Sequence, residues 1–298
     1  MKLPSHRQVQ CFLEVCRDFH FTRAAERLGI PQPPLSRHIK ELERLLGVDL
    51  FLRQGKSVSL TAAGAVFLKE VYQVPVILAR GVEAARRAMA GESELLRIGI
   101  VGALLGDSWL SSVEAYRRRF PQVQLSLVEL SPSDLIRQVE SGELDGAMLG
   151  VRPTGIPSGL NAQVFRREPV VVCLPNDHEL ARRKRLKTLD LEGRAVVSLA
   201  TAVAPAYRDF LEGLFRRRGL RLGRVTETNA AAAMLSMVVA GCGIAILPES
   251  VARLGGARIS RVPLAEPKLR LEQVFVYQAN PSGPLQHLVT VLREGEAK

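Results

Sequence analysis

Apolar positions in the first third of the chain recur at helical spacing, then alternate, then recur at helical spacing again. Leu35, Ile39, Leu42 and Leu46 lie four, three and four residues apart and so share one face of a helix over Gln32–Leu46. Ser36, Arg37 and Lys40 project from its other side. Ala24, Ala25 and Leu28 mark a shorter helix just upstream, and Gly29 suits the turn that ends it. Val9, Phe12, Leu13 and Cys16 give a helix before both. After Gly47 the period falls to two. Val48, Leu50 and Leu52 alternate, Gly55 turns the chain, and Val58 and Leu60 alternate back. This predicts a hairpin whose tip carries Arg53, Gln54, Lys56 and Ser57. From residue 61 to about 90, Gly64, Phe67, Val71, Val74, Leu78, Val82, Ala85 and Met89 repeat by threes and fours, a narrow stripe like a coiled-coil seam. Pro75 stands inside that stripe and predicts a kink or weakening near Val71.

From Leu95 onward strands and helices alternate. Leu96–Val101, Val123–Leu130 and Leu144–Val151 read as strands, with helices over Trp109–Phe120 and Ser133–Ser141 between them. That order implies a parallel sheet. Val164–Phe165 and Val170–Leu174 lead into a second unit: strand Ala195–Leu199, helices Ala206–Arg218 and Ala230–Ala240, and strand Ile244–Leu247. Val274–Tyr277 and a helix from about Pro284 close the chain. Two α/β units joined by two crossings suggest a hinged, two-lobed binding protein, with its ligand between the lobes beyond the carboxyl ends of the strands. The expected fold class is α+β and multi-domain. Residues 1–60 form a winged helix-turn-helix, 61–90 a long helix that packs either on its own domain or on a partner helix, and 91–298 a two-lobed α/β domain. Lobe I would take about 91–161 and 268–298, and lobe II about 162–267.

Charge sharpens this division. The chain of 298 residues has a formal net charge of +11. Residues 1–90 hold 14 Lys+Arg against 8 Asp+Glu, and the remaining two-thirds hold 27 against 22. The basic density therefore lies toward the N-terminus, as a polyanion partner requires, although a basic face can also be merely solvated. The start, MKLPSHRQ, has no signal-peptide core. The apolar run Ala230–Leu247 is broken by Ser236, Gly241 and Gly243 and reads as helix, turn and strand. No membrane association and a cytoplasmic location are expected.

Enzyme signatures are missing. Gly55-Lys56-Ser57 resembles the end of a phosphate-binding loop, but Leu50 stands where that loop needs glycine. Gly241-Cys242-Gly243 lacks a third glycine and precedes a strand rather than following one. His6, His20, His38, His178 and His287 are scattered, and Cys11, Cys16, Cys173 and Cys242 show no CxxC spacing. No catalytic residue, metal or cofactor is expected.

Two short helices joined by a glycine turn, the second with a packed back and a basic front, form a helix-turn-helix signature, and a flanking hairpin acts as a wing. A plain helical hairpin with a solvated face has the same spacing. The family resemblance goes further. Phe12, Phe21-Thr22-Arg23-Ala24-Ala25, Gln32-Pro33-Pro34-Leu35-Ser36-Arg37, Leu42-Glu43, Leu46-Gly47, Leu50-Phe51, Arg53 and Leu60-Thr61-Ala63-Gly64 resemble the LysR-type transcriptional regulators. The match is dense over residues 5 to 65 and continues more weakly to about 290. Pro31 departs from the family's Ser or Thr and removes an N-cap side chain, a small loss where backbone donors already lack partners.

The resemblance implies a periplasmic-binding-protein-like effector domain and a linker helix pairing two subunits through Val71, Val74, Leu78 and Val82. Expected DNA contacts are Thr22, Arg23, Gln32, Pro33, Ser36, Arg37, Lys40, Arg53 and Lys56. The implied partners are double-stranded DNA bearing an interrupted palindrome, a second copy of the chain in a homodimer or homotetramer, RNA polymerase, and a small-molecule effector. The Gln32–Arg37 run resembles the branch responding to aromatic catabolites, whose pocket hydroxyls hold ligand carboxylates. The matching stretches here are Val101-Gly102-Ala103-Leu104, Ser131 and Ser133, and Thr201-Ala202-Val203. They offer few donors, so the expected effector is a small, largely apolar, aromatic or weakly acidic metabolite. The competing reading is a cytoplasmic solute-binding protein with no regulatory role.

Overall fold

The computed structural model describes residues 3–54, 57–89, 94–104, 107–266 and 269–296. It falls into two compact units, Met1–Ala90 and Gly91–Lys298.

The first unit begins with α1 (His6–Cys16), α2 (Phe21–Arg27) and α3 (Gln32–Leu46). Ser5 and Gln8 close a capping box on α1, and the His20 imidazole accepts from the Arg23 amide to cap α2. Gly29 and Gly47 supply the left-handed backbone, φ +64° and +72°, that ends α2 and α3. Pro31 occupies the N-cap of α3 with no side-chain hydrogen bond, and the helix still runs 15 residues. Phe12, Leu35, Ile39, Leu42 and Leu50 are completely buried and form the core of the unit. The wing strands β1 (Phe51–Gln54) and β2 (Ser57–Leu60) pair antiparallel, Phe51 opposite Leu60.

The stripe after residue 61 forms two helices, α4 (Ala62–Val71) and α5 (Val74–Met89). The break at Tyr72-Gln73 leaves Pro75 in the first turn of α5, where proline is tolerated. The lower half of the stripe packs at home. Phe67 meets Phe12 at a ring separation of 5.2 Å, and Phe67, Leu68 and Val71 lean on the core of their own unit. The upper half does not: Ile77, Leu78, Val82 and Met89 are exposed. By length and composition alone, Ala62–Met89 could cross a membrane.

The second unit contains β3 (Glu94–Ile100), α6 (Asp107–Arg119), β4 (Val123–Glu129), α7 (Pro132–Ser141), β5 (Gly146–Leu149) and the long β6 (Leu160–Pro175). Then follow β7 (Val196–Leu199), α8 (Pro205–Arg216), β8 (Val225–Thr228), α9 (Ala231–Val239), β9 (Ala245–Pro248), α10 (Glu249–Ala252), β10 (Ile259–Pro263), β11 (Arg270–Gln278) and α11 (Gly283–Glu296). The main sheet has the order β10-β6-β11-β5-β3-β4, with β9 also on β6, and β7 pairs with β8.

The sheet is mixed rather than parallel. β3 runs parallel to β4 and β5, but β11 runs antiparallel to both β5 and β6. Val164–Phe165 and Val170–Leu174 belong to one strand, β6. Its first half pairs with β11 beside β5, and its second half pairs with β9 and β10. The strand therefore runs unbroken past residue 161, and its pairing passes from β11 to β9 and β10 at Pro169–Val171. The β6–β11 register shifts a few residues earlier, where Gln273 and Val274 lie opposite Arg166 and Val164. Glu168 is buried at this crossing, accepting from the Ser250 amide at 3.0 Å with Arg166 Nε 3.1 Å away. Strands β8 and β10 were not anticipated; each is short, and β10 carries a charge and ends in proline, which blurs the alternation.

Candidate DNA-binding surface and effector cleft

Helix α3 has two unlike sides. Leu35, Ile39 and Leu42 are wholly buried, whereas Arg37, Lys40 and Arg44 are exposed and have no ion-pair partner among the described residues. Pro33, Ser36, Arg37, Lys40, Glu41 and Arg44 line a shallow open groove along that side. Arg27, by contrast, is engaged. Arg27 binds Glu14 at 3.0 Å and Asp18 at 3.0 Å and donates to the Glu14 carbonyl at 2.8 Å, tying α2 to α1. These contacts act on the carboxylates. Burial tends to raise Glu14, but hydrogen bonds from Arg17 and Arg27 outweigh it and hold the group below its ordinary value. The hydrogen bond from Arg27 likewise lowers Asp18.

The other expected contact residues surround α3. Thr22 Oγ1 donates to Gln32 Oε1 at 3.2 Å, joining the starts of α2 and α3, and both residues are exposed, as are Arg23 and Pro33. Arg53 lies on β1. Lys56, at the wing tip, lies outside the described residues. Glu43, which the sequence shows only as part of a motif, fixes the wing. Its Oε1 accepts from the Leu50 amide at 2.9 Å and the Phe51 amide at 3.2 Å. Thr61 completes the base: its amide reaches the Leu50 carbonyl and its hydroxyl the Asp49 carbonyl. Gly64 packs so close that a Cβ there would strike the Leu50 carbonyl.

In the second unit a cleft of about 740 Å³ opens at the carboxyl ends of β3, β4, β5, β7, β8 and β9. Val101, Gly102, Ala103, Leu104, Ser131, Ser133 and Val203 line it. Thr201 and Ala202 do not; they sit on an exposed turn. The two serine hydroxyls are already occupied. Ser131 caps α7, accepting from the Asp134 amide and donating to the Asp134 carboxylate at 2.8 Å. Ser133 reaches the Ala202 and Val203 carbonyls at 3.0 and 3.1 Å, pinning α7 to the turn before α8. Tyr207, also in the lining, spends its hydroxyl on the Ile246 carbonyl at 2.9 Å, and burial pushes its pKa up. Sequence reasoning missed Glu129, Asp209 and Asn229, which supply the remaining polar side-chain chemistry of the lining together with Thr154. Among the described residues no group of His, Cys, Asp and Glu is placed to hold a metal ion.

Comparisons with known proteins agree across the whole chain. Residues 6–65 match the model of the bacterial regulatory helix-turn-helix protein, lysR family, and residues 89–297 match the LysR substrate binding domain. The HTH-type transcriptional regulator AlsR of Bacillus subtilis is 31% identical over 287 residues, covering 96% of this chain and 94% of AlsR. Full-length CbnR solved with its target DNA superposes with a TM-score of 0.65 at 23% identity, covering 98% of this chain and 99% of CbnR. The effector-binding domain of BenM with its effector benzoate superposes with a TM-score of 0.59 at 20% identity, covering 68% of this chain and 92% of that domain.

Proposed function

The chain belongs to the LysR family of bacterial helix-turn-helix regulators, and from that premise we propose how its two units divide the work of a DNA-binding transcriptional regulator with an effector-binding domain. In our reading α3 enters the major groove. Ser36, Arg37 and Lys40 meet bases and phosphates there, and Thr22, Arg23, Gln32 and Pro33 meet the backbone near the start of the helix. The observation that carries this reading is the helix itself: fully buried leucine and isoleucine behind, and three exposed cations without ion-pair partners in front. Internal ion pairing would have spent those charges; a polyanion uses them.

A second copy of the chain supplies the second reading head. The exposed Ile77, Leu78 and Val82 on α5 are the apolar face it would cover. A two-fold dimer places its two recognition helices about 34 Å apart on one side of the duplex, so the operator is an interrupted palindrome. RNA polymerase is the downstream partner, and the cytoplasm the compartment. The effector, a small and largely apolar molecule, binds the cleft and biases the two lobes.

The test is a mobility shift of the full chain on the DNA upstream of its own gene. Arg37→Ala should weaken operator binding by about 1–3 kcal/mol if the contact is bidentate. Arg53→Ala should weaken all sequences alike and reduce the salt slope by about one. Unchanged operator affinity in Arg37→Ala would remove α3 from the groove.

A further inference from the structure

The cleft carries carboxylates where the expected effector is apolar, aromatic or weakly acidic. Its walls are mainly Val, Leu, Ile, Ala and Pro, and among the described residues it contains no Lys, Arg or His. It does contain two carboxylates, Glu129 at the end of β4 and Asp209 on α8. Glu129 has no hydrogen-bond or ion-pair partner among the described residues and lies over Gly102, where any Cβ would collide with Oε1. Asp209 receives one weak contact, from Thr154 Oγ1 at 3.3 Å. The guanidinium groups next to the lining are committed elsewhere. Arg208 pairs with Glu212 at 2.7 Å, Arg137 with Asp134 at 2.7 Å, and Arg152 with Glu272 at 3.3 Å. The cleft thus presents two exposed carboxylates, among mainly apolar lining residues and with no lining cation among the described residues.

A ligand carboxylate would add a third negative charge and meet no side-chain cation. A protonated amine would do the reverse, giving Glu129 a charge-assisted partner as the apolar body displaces water around it. The starts of α8 and α9 also face the cleft, and neither has a side-chain cap. Their backbone N–H groups can serve an acceptor atom on the same molecule, but they do not relieve a carboxylate on the opposite wall.

Resting on the reading of this cleft as the effector site, we propose that its ligand is an amine, a protonated amino group on a compact apolar body, with Glu129 as the principal anchor and Asp209 as the secondary one. The proposal concerns the charge sign of the recognised group, not a particular metabolite.

The experiment is calorimetry on the full chain with three probes that share one branched body: 3-methylbutylamine, leucine and 3-methylbutanoate. At least one of the two amine-bearing probes should bind, and the acid should not compete with it. Glu129→Gln, nearly isosteric, should weaken amine binding by about tenfold or more. Asp209→Asn should weaken it less. Unchanged far-ultraviolet dichroism would show that each variant is folded. The proposal is overturned if the acid binds more tightly than the amines, if neither amine-bearing probe binds at millimolar concentration, or if Glu129→Gln binds them as wild type does. Ala231→Trp, which fills the cleft, separates the two levels of the argument. Acid binding abolished by that substitution would leave the cleft as effector site with only the ligand class wrong. Amine binding that survives both Ala231→Trp and Glu129→Gln would mean that the site itself is misplaced.

Discussion

Replacing Glu43 by alanine should loosen the wing while leaving the helices that carry it in place. Glu43 lies in the last turns of α3, and its single oxygen Oε1 accepts from the Leu50 and Phe51 amides at 2.9 and 3.2 Å. Hydrogen bonds to a charged acceptor contribute about 1.5–3 kcal/mol when shielded, and the half-buried carboxylate takes the lower end of that range. The Leu50 side chain is completely buried, so its amide cannot turn freely to water once the carboxylate is gone. Against this, the Leu50 carbonyl keeps its bond from the Thr61 amide at 3.0 Å, so the hairpin remains attached at its other side. The expected loss is about 2–3 kcal/mol for Glu43→Ala, and about half that for Glu43→Gln, whose amide oxygen can still accept but carries no charge. In urea, with a slope of about 1 kcal/mol/M for a small domain, the alanine change should move the midpoint down by about 2–3 M. The chain has one tryptophan, Trp109, in the second unit. Its fluorescence is an internal control: far-ultraviolet dichroism should show an early transition that Trp109 does not share. Operator affinity should fall as well, because the wing loses its register against α3. A midpoint within about 0.5 M of wild type, or an equal shift in both signals, would refute the assignment of Glu43 as the tie between recognition helix and wing.

Two further outcomes follow from contacts already described. Removing the Arg27 guanidinium with Arg27→Met should destabilise the first unit at neutral pH. Glu14 and Asp18 are both held below their ordinary values in the folded state, so their contribution is complete above the carboxylate range and is lost as pH falls through it. The difference between wild type and Arg27→Met in thermal midpoint should therefore shrink toward about pH 3, and a difference that grew on acidification would reverse the sign of the argument. Leu78→Glu should lower the mass seen in sedimentation without changing dichroism, because Leu78 is 48% exposed in the single chain and a partner would bury the new charge.

The first unit was largely legible because its signals are local. The spacing of Leu35, Ile39 and Leu42, the glycines at 29 and 47, and the alternation through Val58 and Leu60 each determine structure within a few residues. Pro75 was legible too, and its consequence is larger than a kink: the stripe becomes two helices with different roles. The heptad-like pattern could not reveal that Phe67 and Val71 are spent on their own domain while Leu78 and Val82 remain open. Periodicity reports that a face is apolar, not which surface covers it.

The second unit shows where local reading stops. The βα order predicted that a cleft would lie beyond the strand ends, and the stretch Val101–Leu104 stands in it. The polarity of the cleft was out of reach because it depends on which side chains are already engaged. Ser131 and Ser133 look like donors in the sequence, yet one caps its own helix and the other binds the Ala202 and Val203 carbonyls, contacts that require the folded turn before α8. Glu129 looks like one more solvated charge at a strand end, beside the apolar Val128 and Leu130. Its significance comes from two absences visible only in three dimensions: no cation among the described lining, and no Cβ at Gly102 to displace it. Electrostatic character is thus a property of the residual charges after internal pairing. On α3 the charge left over is positive and exposed, and among the described residues lining the cleft it is negative. The proposals of DNA at the first surface and of an amine at the second rest on one physical rule and can be tested independently.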